Sequence, residues 1–179
     1  MATDEVLMLQ FQAGSRESFE DLFSRYRDPV YAFFRRRSGC RESAEDLAQE
    51  LWVAVMKGAL KYEPRAPFRT YVFGIAFKLL AGERRKNAKQ NTIRASDAPI
   101  ASAEATDVER WTREALGKLE ATDREIIMLR EYEQLSYGEI AHLLRIPMNT
   151  VRSRLFRARM ALKHLLEPGT ESKAVKGRF

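Results

Sequence analysis

Apolar residues recur at helical spacing along almost the whole chain. Leu22, Tyr26, Val30 and Phe33 would share one side of a helix. No short turn of the Asn-Gly type separates alternating strands, so the pattern predicts an all-α fold. The predicted helices cover residues 4–12, 16–37, 44–57, 68–87, 107–119, 123–132, 137–144 and 148–165.

Several helix starts carry a hydroxyl residue followed three positions later by a carboxylate, the pattern of a capping box. The predicted pairs are Thr106 with Glu109, Thr122 with Glu125, Ser136 with Glu139 and, more weakly, Ser43 with Asp46. Pro67 suits the first turn of a helix, because no amide donor is needed there. The pairs Ser38-Gly39 and Lys57-Gly58 are predicted to end two of the helices.

One internal segment lacks the helical periodicity. Residues 88–106 are mostly small and polar, which is typical of a flexible linker because little apolar surface offsets the entropy of ordering. The sequence therefore predicts two helical domains, 1–87 and 107–166, followed by a loose basic tail at 167–179.

Composition narrows the classes of function. The 179 residues contain one cysteine, Cys40, which excludes an internal disulfide framework and a multi-cysteine metal site. No apolar run approaches the ~20 residues that span a bilayer, and the N-terminus is acidic rather than signal-like. We therefore expect a soluble, cytoplasmic protein with no membrane insertion, no cofactor and no metal.

The net charge of +6 is unevenly distributed. It is −2 over residues 1–60, +5 over 61–105, −4 over 106–144 and +7 over 145–179. Two basic blocks favour two separate anionic contacts, and the acidic blocks leave faces for a protein partner. The alternative is that these charges are solvated on helix surfaces.

Residues 136–165 predict a helix-turn-helix, in which residues 145–147 form the turn and a basic helix begins at Met148. The expected buried stripe of that helix is Val151, Leu155, Ala158 and Leu162. A second set projects together elsewhere: Arg152, Ser153, Phe156 and Arg157. That arrangement fits a recognition helix for the DNA major groove. An ordinary basic surface helix is the alternative.

Longer motifs in both halves extend this interpretation. Residues 135–141 (LSYGEIA) and 149–159 (NTVRSRLFRAR) resemble domain 4 of the extracytoplasmic-function sigma factors. These are the smallest sigma-70-type bacterial transcription initiation factors. Residues 44–50 (AEDLAQE) and 68–76 (FRTYVFGIA) resemble domain 2 of the same family. The resemblance covers about residues 15–165, in the order domain 2, linker, domain 4.

The resemblance implies a transcription initiation factor and not an enzyme. Such a protein binds core RNA polymerase, recognises the −10 and −35 promoter elements and promotes promoter melting. Its implied partners are core RNA polymerase and promoter DNA. An anti-sigma protein that covers both domains is common in the family, and this sequence neither encodes nor excludes one.

The implied polymerase contact is an acidic helix of domain 2. Its residues are Asp46, Leu47, Gln49 and Glu50. The three polar residues share one helix face, which suits a basic partner, whereas Leu47 is expected to pack inward with Leu51. Without the resemblance, a solvated helix face would be the preferred interpretation.

The −10 element is implied to meet a loop stiffened by two prolines and the helix that follows it. Melting unstacks bases, and a flipped base must be held by a pocket and by stacking. The residues expected near that base are Tyr62, Arg65 and Lys78, and those expected at phosphates are Arg69, Arg84, Arg85 and Lys86. Tyr71 fits either DNA or the core and completes the −10 set, whereas Phe73 favours the core.

The −35 element is implied to meet the recognition helix. The base contacts are assigned to Arg152, Ser153, Phe156 and Arg157, with Asn149 at the helix start. Arginine donors can pair with guanine O6 and N7. Arg130, Thr150 and Lys163 are better phosphate candidates, which position the protein without specifying sequence. For Arg154 and Arg159, bracing of the fold and contact with polymerase both remain open.

This chain departs from the family pattern at five positions. Tyr71 stands where tryptophan is usual, Lys78 where asparagine is frequent, and Gly82 where aspartate is common. Asn149 and Arg145 stand where glycine is common. The turn at Arg145 would need a positive φ, which an arginine adopts with mild strain. These departures bear on which promoter sequence is read.

Two other classes of function compete with this interpretation. A stand-alone helix-turn-helix regulator usually dimerises, and the sequence has no dedicated apolar dimerisation helix; binding to core polymerase separates the two. An enzyme fits worse, because there is no glycine-rich phosphate loop. His142 and His164 lack a neighbouring acidic or cysteine cluster in the sequence.

Overall fold

A computed structural model describes residues 2–38, 40–90 and 106–167. Throughout these ranges the regular structure is helical and no strand occurs, which confirms the all-α prediction. The chain divides into two units, Met1–Ile100 and Ala101–Phe179, which are called unit 1 and unit 2 below. None of the described helices is long and apolar enough to cross a membrane.

The helices follow the predicted order. In the described part of unit 1 they are α1 (Asp4–Gln12), α2 (Arg16–Arg37), α3 (Arg41–Gly58) and α4 (Phe68–Gln90), with a 3₁₀ turn at Ala59–Lys61. In the described part of unit 2 they are α5 (Asp107–Gly117), α6 (Ala121–Glu131), α7 (Tyr137–Leu144) and α8 (Met148–Leu166).

Two of the predicted capping boxes are confirmed. The Thr106 hydroxyl accepts the Glu109 amide at 3.2 Å, and the Glu109 carboxylate accepts the Thr106 amide at 2.9 Å. The Ser136 hydroxyl likewise accepts the Glu139 amide at 3.2 Å, and the return bond is 2.6 Å. Both boxes satisfy amides that would otherwise lack partners at the helix start.

The other two predicted boxes are wrong, because a residue upstream caps each helix first. The Glu120 carboxylate accepts the amides of Thr122 and Asp123 at 3.1 and 3.3 Å, so α6 begins at Ala121. The Cys40 thiol accepts the Ser43 amide at 3.4 Å, and α3 therefore begins at Arg41.

The predicted helix ends and linker bounds need smaller changes. Helix α3 ends at Gly58 as predicted, and Pro67 precedes the first residue of α4, where its carbonyl accepts the Thr70 amide at 2.9 Å. Ser38 caps the end of α2, and Gly39 lies outside the described residues. Helix α4 continues to Gln90, three residues into the predicted linker. The remaining linker residues 91–105 and the tail 168–179 also lie outside the described residues.

The core of unit 1 forms where α2 packs against α1, α3 and α4. Its largest fully buried side chains are Met8, Leu22, Phe33, Phe34, Leu51, Phe68 and Phe73. Phe73 is 2% exposed and its ring centroid lies 5.6 Å from that of Phe33. Phe73 is therefore a core residue, as the sequence favoured.

The core of unit 2 forms where α8 packs against α5, α6 and α7. Val151, Leu155 and Ala158 are buried as predicted, whereas Leu162 is only half-buried. The same core contains Ile126 and Leu129 of α6, with further buried side chains from the α6–α7 connection and α7. This packing fixes which side of α8 faces solvent.

Candidate nucleic-acid interface

The exposed side of α8 carries the predicted base-contacting residues. Arg152, Ser153, Phe156 and Arg157 are all exposed, as are Asn149 and Lys163. Phe156 is 68% exposed, although a phenyl ring is ordinarily buried in a core. With about 3.6 residues per turn, Arg152 and Arg157 lie about 140° apart, at opposite edges of this face. Phe156 lies between them.

Two further features of this face bear on its chemistry. The Ser153 hydroxyl donates its proton to the Thr150 carbonyl at 3.1 Å. Its oxygen is then available to accept a hydrogen bond from a binding partner. Thr150 itself is half-buried. Met160, one turn beyond Phe156, is exposed on the same face but is absent from the predicted site residues. Its position outside the buried stripe of α8 is the sequence feature that indicates its exposure.

The turn before α8 has the predicted positive φ. Arg145 has φ 56° and ψ 44°, the left-handed conformation. Its amide donates to the His142 carbonyl at 3.4 Å, and the Ile146 amide donates to the Ala141 carbonyl at 3.1 Å. This pair of bonds is a Schellman motif, which ends α7 sharply and directs the chain into α8.

Two arginines of α8 differ from those of the predicted base-contacting set, because they are paired with carboxylates at the two ends of α6. The Arg154 guanidinium lies 2.7 Å from the Glu120 carboxylate and 2.9 Å from that of Asp123. Arg159 lies 2.6 Å from Glu131. These hydrogen bonds raise the pKa of both arginines. Of the two alternatives open in the sequence, the contacts support bracing of the fold.

Arg130 also has a structural partner in unit 2. Its guanidinium donates to the Leu135 carbonyl at 2.9 Å and lies 5.3 Å from the centre of the Tyr137 ring. The side chain is half-buried between α6 and the start of α7. Arg130 therefore already has a structural role, since its hydrogen bond holds the α6–α7 connection in place. A phosphate contact would be a second role for the same side chain.

In unit 1, α3 presents the predicted acidic face. Asp46, Gln49 and Glu50 are exposed on one side of the helix. Val53 and Met56 continue that side and are also exposed, which the sequence analysis missed. Leu47 is only 4% exposed and lies in the core with Leu51, at the edge of the acidic face that turns inward. Its inclusion among the binding residues is therefore corrected.

Tyr62 is a second correction among the predicted site residues. It is 5% exposed, and its ring centroid lies 5.1 Å from that of Tyr71 and 6.1 Å from that of Phe68. Burial raises the pKa of Tyr62 to about 12, and its hydroxyl has no hydrogen-bond partner. In this structure the ring packs against Phe68 and Tyr71 and has no open face on which a base could stack.

The residues beyond Tyr62 remain accessible. Arg65 is exposed and pairs with Glu63 at 2.5 Å. On α4, Lys78, Arg84, Arg85 and Lys86 are exposed, whereas Tyr71 is half-buried and burial raises its pKa.

The helix brings only some of the predicted −10 residues together. Tyr71, Lys78 and Arg85 are spaced seven apart, nearly two turns, and so share one face. Arg69 lies on the other side of α4, where its guanidinium is 6.0 Å from the centre of the Tyr26 ring.

Two family models match the chain, and each falls within one unit. The model described as Sigma-70 region 2 matches residues 22–90, and the model described as Sigma-70, region 4 matches residues 109–162.

Individual relatives align along nearly their whole lengths. The chain is 30% identical over 165 residues to the RNA polymerase sigma factor CarQ of Myxococcus xanthus, with 89% of this chain and 95% of CarQ covered. It is 28% identical over 170 residues to the RNA polymerase sigma factor YlaC of Bacillus subtilis, covering 89% and 98%. An ECF RNA polymerase sigma-E factor of Haemophilus influenzae is 27% identical over 183 residues, covering 93% and 96%.

Solved structures show the same fold at lower sequence identity. The sigma factor RpoE, in complex with the anti-sigma factor NepR from Bartonella quintana, has a TM-score of 0.72 and 23% identity, covering 86% of this chain and 99% of that one. CnrH, in complex with the cytosolic domain of CnrY, has a TM-score of 0.67 and 24% identity, covering 91% and 96%.

Proposed function

Because this chain belongs to the extracytoplasmic-function sigma factors of the sigma-70 family, we propose a role for each of its two units. Unit 1 binds core RNA polymerase and the −10 promoter element, and unit 2 binds the −35 element. The chain is a transcription initiation factor, and the proposal concerns which residues perform each step.

The observation that carries the proposal is the exposed face of α8. It combines two arginines at its edges with an exposed phenyl ring between them, and no acidic residue lies on α8 itself. Each bidentate arginine–guanine pair discriminates by about 1–3 kcal/mol, and an apolar side chain suits a thymine methyl. Arg152, Phe156 and Arg157 are therefore assigned to bases, and Thr150 and Lys163 to phosphates.

Unit 1 carries the proposed polymerase contact. The exposed carboxylates of Asp46 and Glu50 suit a basic surface of the polymerase, and Gln49 adds hydrogen-bonding capacity on the same face. Val53 and Met56 extend the face with apolar area, which suits the centre of an interface.

The −10 contact is assigned to the loop at residues 63–67 and to one face of α4. Arg65 lies in the loop, and Tyr71, Lys78 and Arg85 line the helix face, while Arg84 and Lys86 are the exposed residues that flank Arg85 in sequence. Promoter melting requires unstacking that costs a few kcal/mol per base. A preformed loop that holds the flipped base reduces the ordering cost of that step. Binding energy, rather than chemistry by this chain, then favours the open promoter.

The proposed setting follows from the partners. Core polymerase catalyses RNA synthesis, so no catalytic activity is proposed for this chain, and its place of action is the cytoplasm. The two solved relatives are complexes, and RpoE is bound to an anti-sigma factor. A regulator of that kind is a proposed partner here. A stand-alone DNA-binding regulator is not favoured, since the region 2 match covers most of unit 1.

Association with polymerase tests the proposal. The purified chain is mixed with bacterial core RNA polymerase, and co-elution and promoter-dependent transcription are measured. We expect a stable complex and transcripts that start at defined promoters. Sequence-specific DNA binding by the chain alone, with no co-elution and no transcripts, would contradict the proposal and support a stand-alone regulator.

A further inference from the structure

Helix α1 holds both ends of the loop at residues 63–67. The Gln12 side-chain amide donates to the Ala59 carbonyl at 2.8 Å and to the Tyr62 carbonyl at 3.3 Å, just before the loop. The Glu5 carboxylate accepts the Phe68 amide at 2.7 Å, just after the loop. Two side chains from one helix, distant in sequence, therefore fix the points where the loop begins and ends.

The bond to the Phe68 amide has no local substitute. The Phe68 amide is one of the donors at the start of α4 that the helix itself leaves unpaired. Pro67, the residue before it, has no side-chain oxygen to accept this amide, so the carboxylate of Glu5 takes the place of a capping residue. Negative charge at a helix N-terminus is also favoured by the helix dipole.

The loop between these two points is short and exposed. Residues 63–67 include two prolines and are all exposed, and the Arg65 amide donates to the Glu63 carbonyl at 2.8 Å. Tyr62 and Phe68 lie buried beneath its ends. Fixed ends therefore add to the two prolines in holding the loop in one conformation, since its own side chains bury little.

Helix α1 is itself firmly attached to the rest of unit 1. Leu7 and Met8 are buried, and the Asp4 carboxylate accepts the Tyr26 hydroxyl at 2.5 Å and pairs with Arg25 at 2.6 Å. A restraint applied through α1 is thus carried by the core of unit 1 rather than by a mobile terminus.

We propose that Glu5 and Gln12 are positioning residues for −10 recognition, which hold the 63–67 loop in the conformation that reads the promoter. The inference rests on the proposed function of that loop. Neither side chain is assigned a contact with DNA. Their loss frees the loop ends, so the bound conformation must be ordered at the moment of binding and discrimination between bases falls.

The first test uses reconstituted holoenzyme and a promoter library randomised at the −10 element. Gln12→Met removes both amide donors at similar size, and Glu5→Ala removes the acceptor. We expect the preference for the favoured −10 base to fall about three- to tenfold in each, with −35 preferences unchanged.

Matched variants separate positioning from general damage to α1. Gln10→Met makes the same substitution on the same helix, where Gln10 accepts the Ser18 hydroxyl of α2 at 3.0 Å. Glu5→Gln keeps an oxygen that can accept the Phe68 amide. Both variants should retain the −10 preference of the parent. If general destabilisation of α1 were the cause, Gln10→Met would lower that preference as well.

A second measurement follows the loop in the free, full-length protein. Trypsin cleaves after Arg65, and the rate of that cleavage should rise in Gln12→Met and Glu5→Ala but not in the two matched variants. Parent-like −10 preference together with parent-like cleavage at Arg65 would overturn this inference alone. A parent holoenzyme with no −10 preference would overturn the proposed function and this inference together.

Discussion

Arg154 of the recognition helix binds Asp123 of α6, with 2.9 Å between Nη1 and Oδ1. Arg152 lies only two residues earlier, but it faces solvent on the other side of the helix. Two arginines of one basic motif therefore have different partners, one in the fold and one available to DNA.

Exchange of these two arginines for alanine should have opposite consequences. Arg154→Ala removes the bonds to Asp123 and Glu120, so the thermal midpoint of unfolding should fall while sequence preference at −35 stays similar. Arg152→Ala should leave the midpoint nearly unchanged and relax the −35 preference. Calorimetry and library transcription measure the two effects. A parent-like midpoint for Arg154→Ala would show that its ion pairs do not stabilise the fold.

The cap of α6 makes stability depend on pH. Hydrogen bonds from the Thr122 backbone, together with Arg154, lower the pKa of Glu120. A carboxyl whose pKa is lower in the folded state contributes stability above its unfolded pKa, and this is lost as the pH falls below 4.5, its ordinary value. Chemical denaturation of the full chain across this range should show a weaker decline in Glu120→Gln. The exposed Glu114→Gln is the control, and equal slopes for both would contradict the assignment.

Gly58 of α3 packs closely against Tyr71 of α4, and this contact predicts the sign of the stability change on substitution of Gly58. A Cβ at Gly58 would lie 2.6 Å from the Tyr71 hydroxyl but 3.9 Å from the Tyr71 Cζ. Gly58→Ala should therefore destabilise the parent by about 1 kcal/mol or more through overpacking. In a Tyr71→Phe background the oxygen is gone, and the same change should be neutral or stabilising because alanine favours helix. A double-mutant cycle measures the coupling, and additive changes would contradict it.

Charge reversal tests the acidic face of α3. Asp46→Lys combined with Glu50→Lys should weaken association with core polymerase strongly, because it opposes a basic partner surface. Both sites are exposed, so the free energy of unfolding should change by less than about 1 kcal/mol. Asp21→Lys combined with Asp28→Lys on α2, both exposed, makes the same change in net charge and is the control. Co-elution equal to that of this control would place the polymerase contact elsewhere.

Local pattern sufficed for most of the fold. The periodicity of apolar residues predicted every described α-helix, and the turn at Arg145 has the predicted positive φ. The predicted starts of α6 and α3 are wrong because Glu120 and Cys40 cap these helices. Both residue types cap helices less often than serine or threonine, so the sequence pattern favours the hydroxyl residues that follow them.

Some features of the candidate site depend on contacts between helices, which the local sequence pattern does not predict. The sequence pattern predicts Tyr62 as an accessible aromatic in a loop, but in the fold it is buried and packs against the rings of Phe68 and Tyr71. The sequence of α8 places Arg154 and Arg152 on different faces but leaves two roles open for Arg154, because the carboxylates that bind it, Glu120 and Asp123, lie at the start of α6. The positions of Glu5 and Gln12 at the 63–67 loop likewise depend on contacts between residues far apart in sequence.

The central claim is that each unit reads its own promoter element, and one transcription measurement tests it most directly. Reconstituted holoenzyme carrying the parent, Arg152→Ala or Arg65→Ala transcribes a library randomised at both elements. We predict that Arg152→Ala changes preferences only at −35, and Arg65→Ala only at −10, each lost base contact lowering discrimination by about 1–3 kcal/mol. Parent-like preferences at both elements in both variants, with only uniformly lower output, would contradict the account.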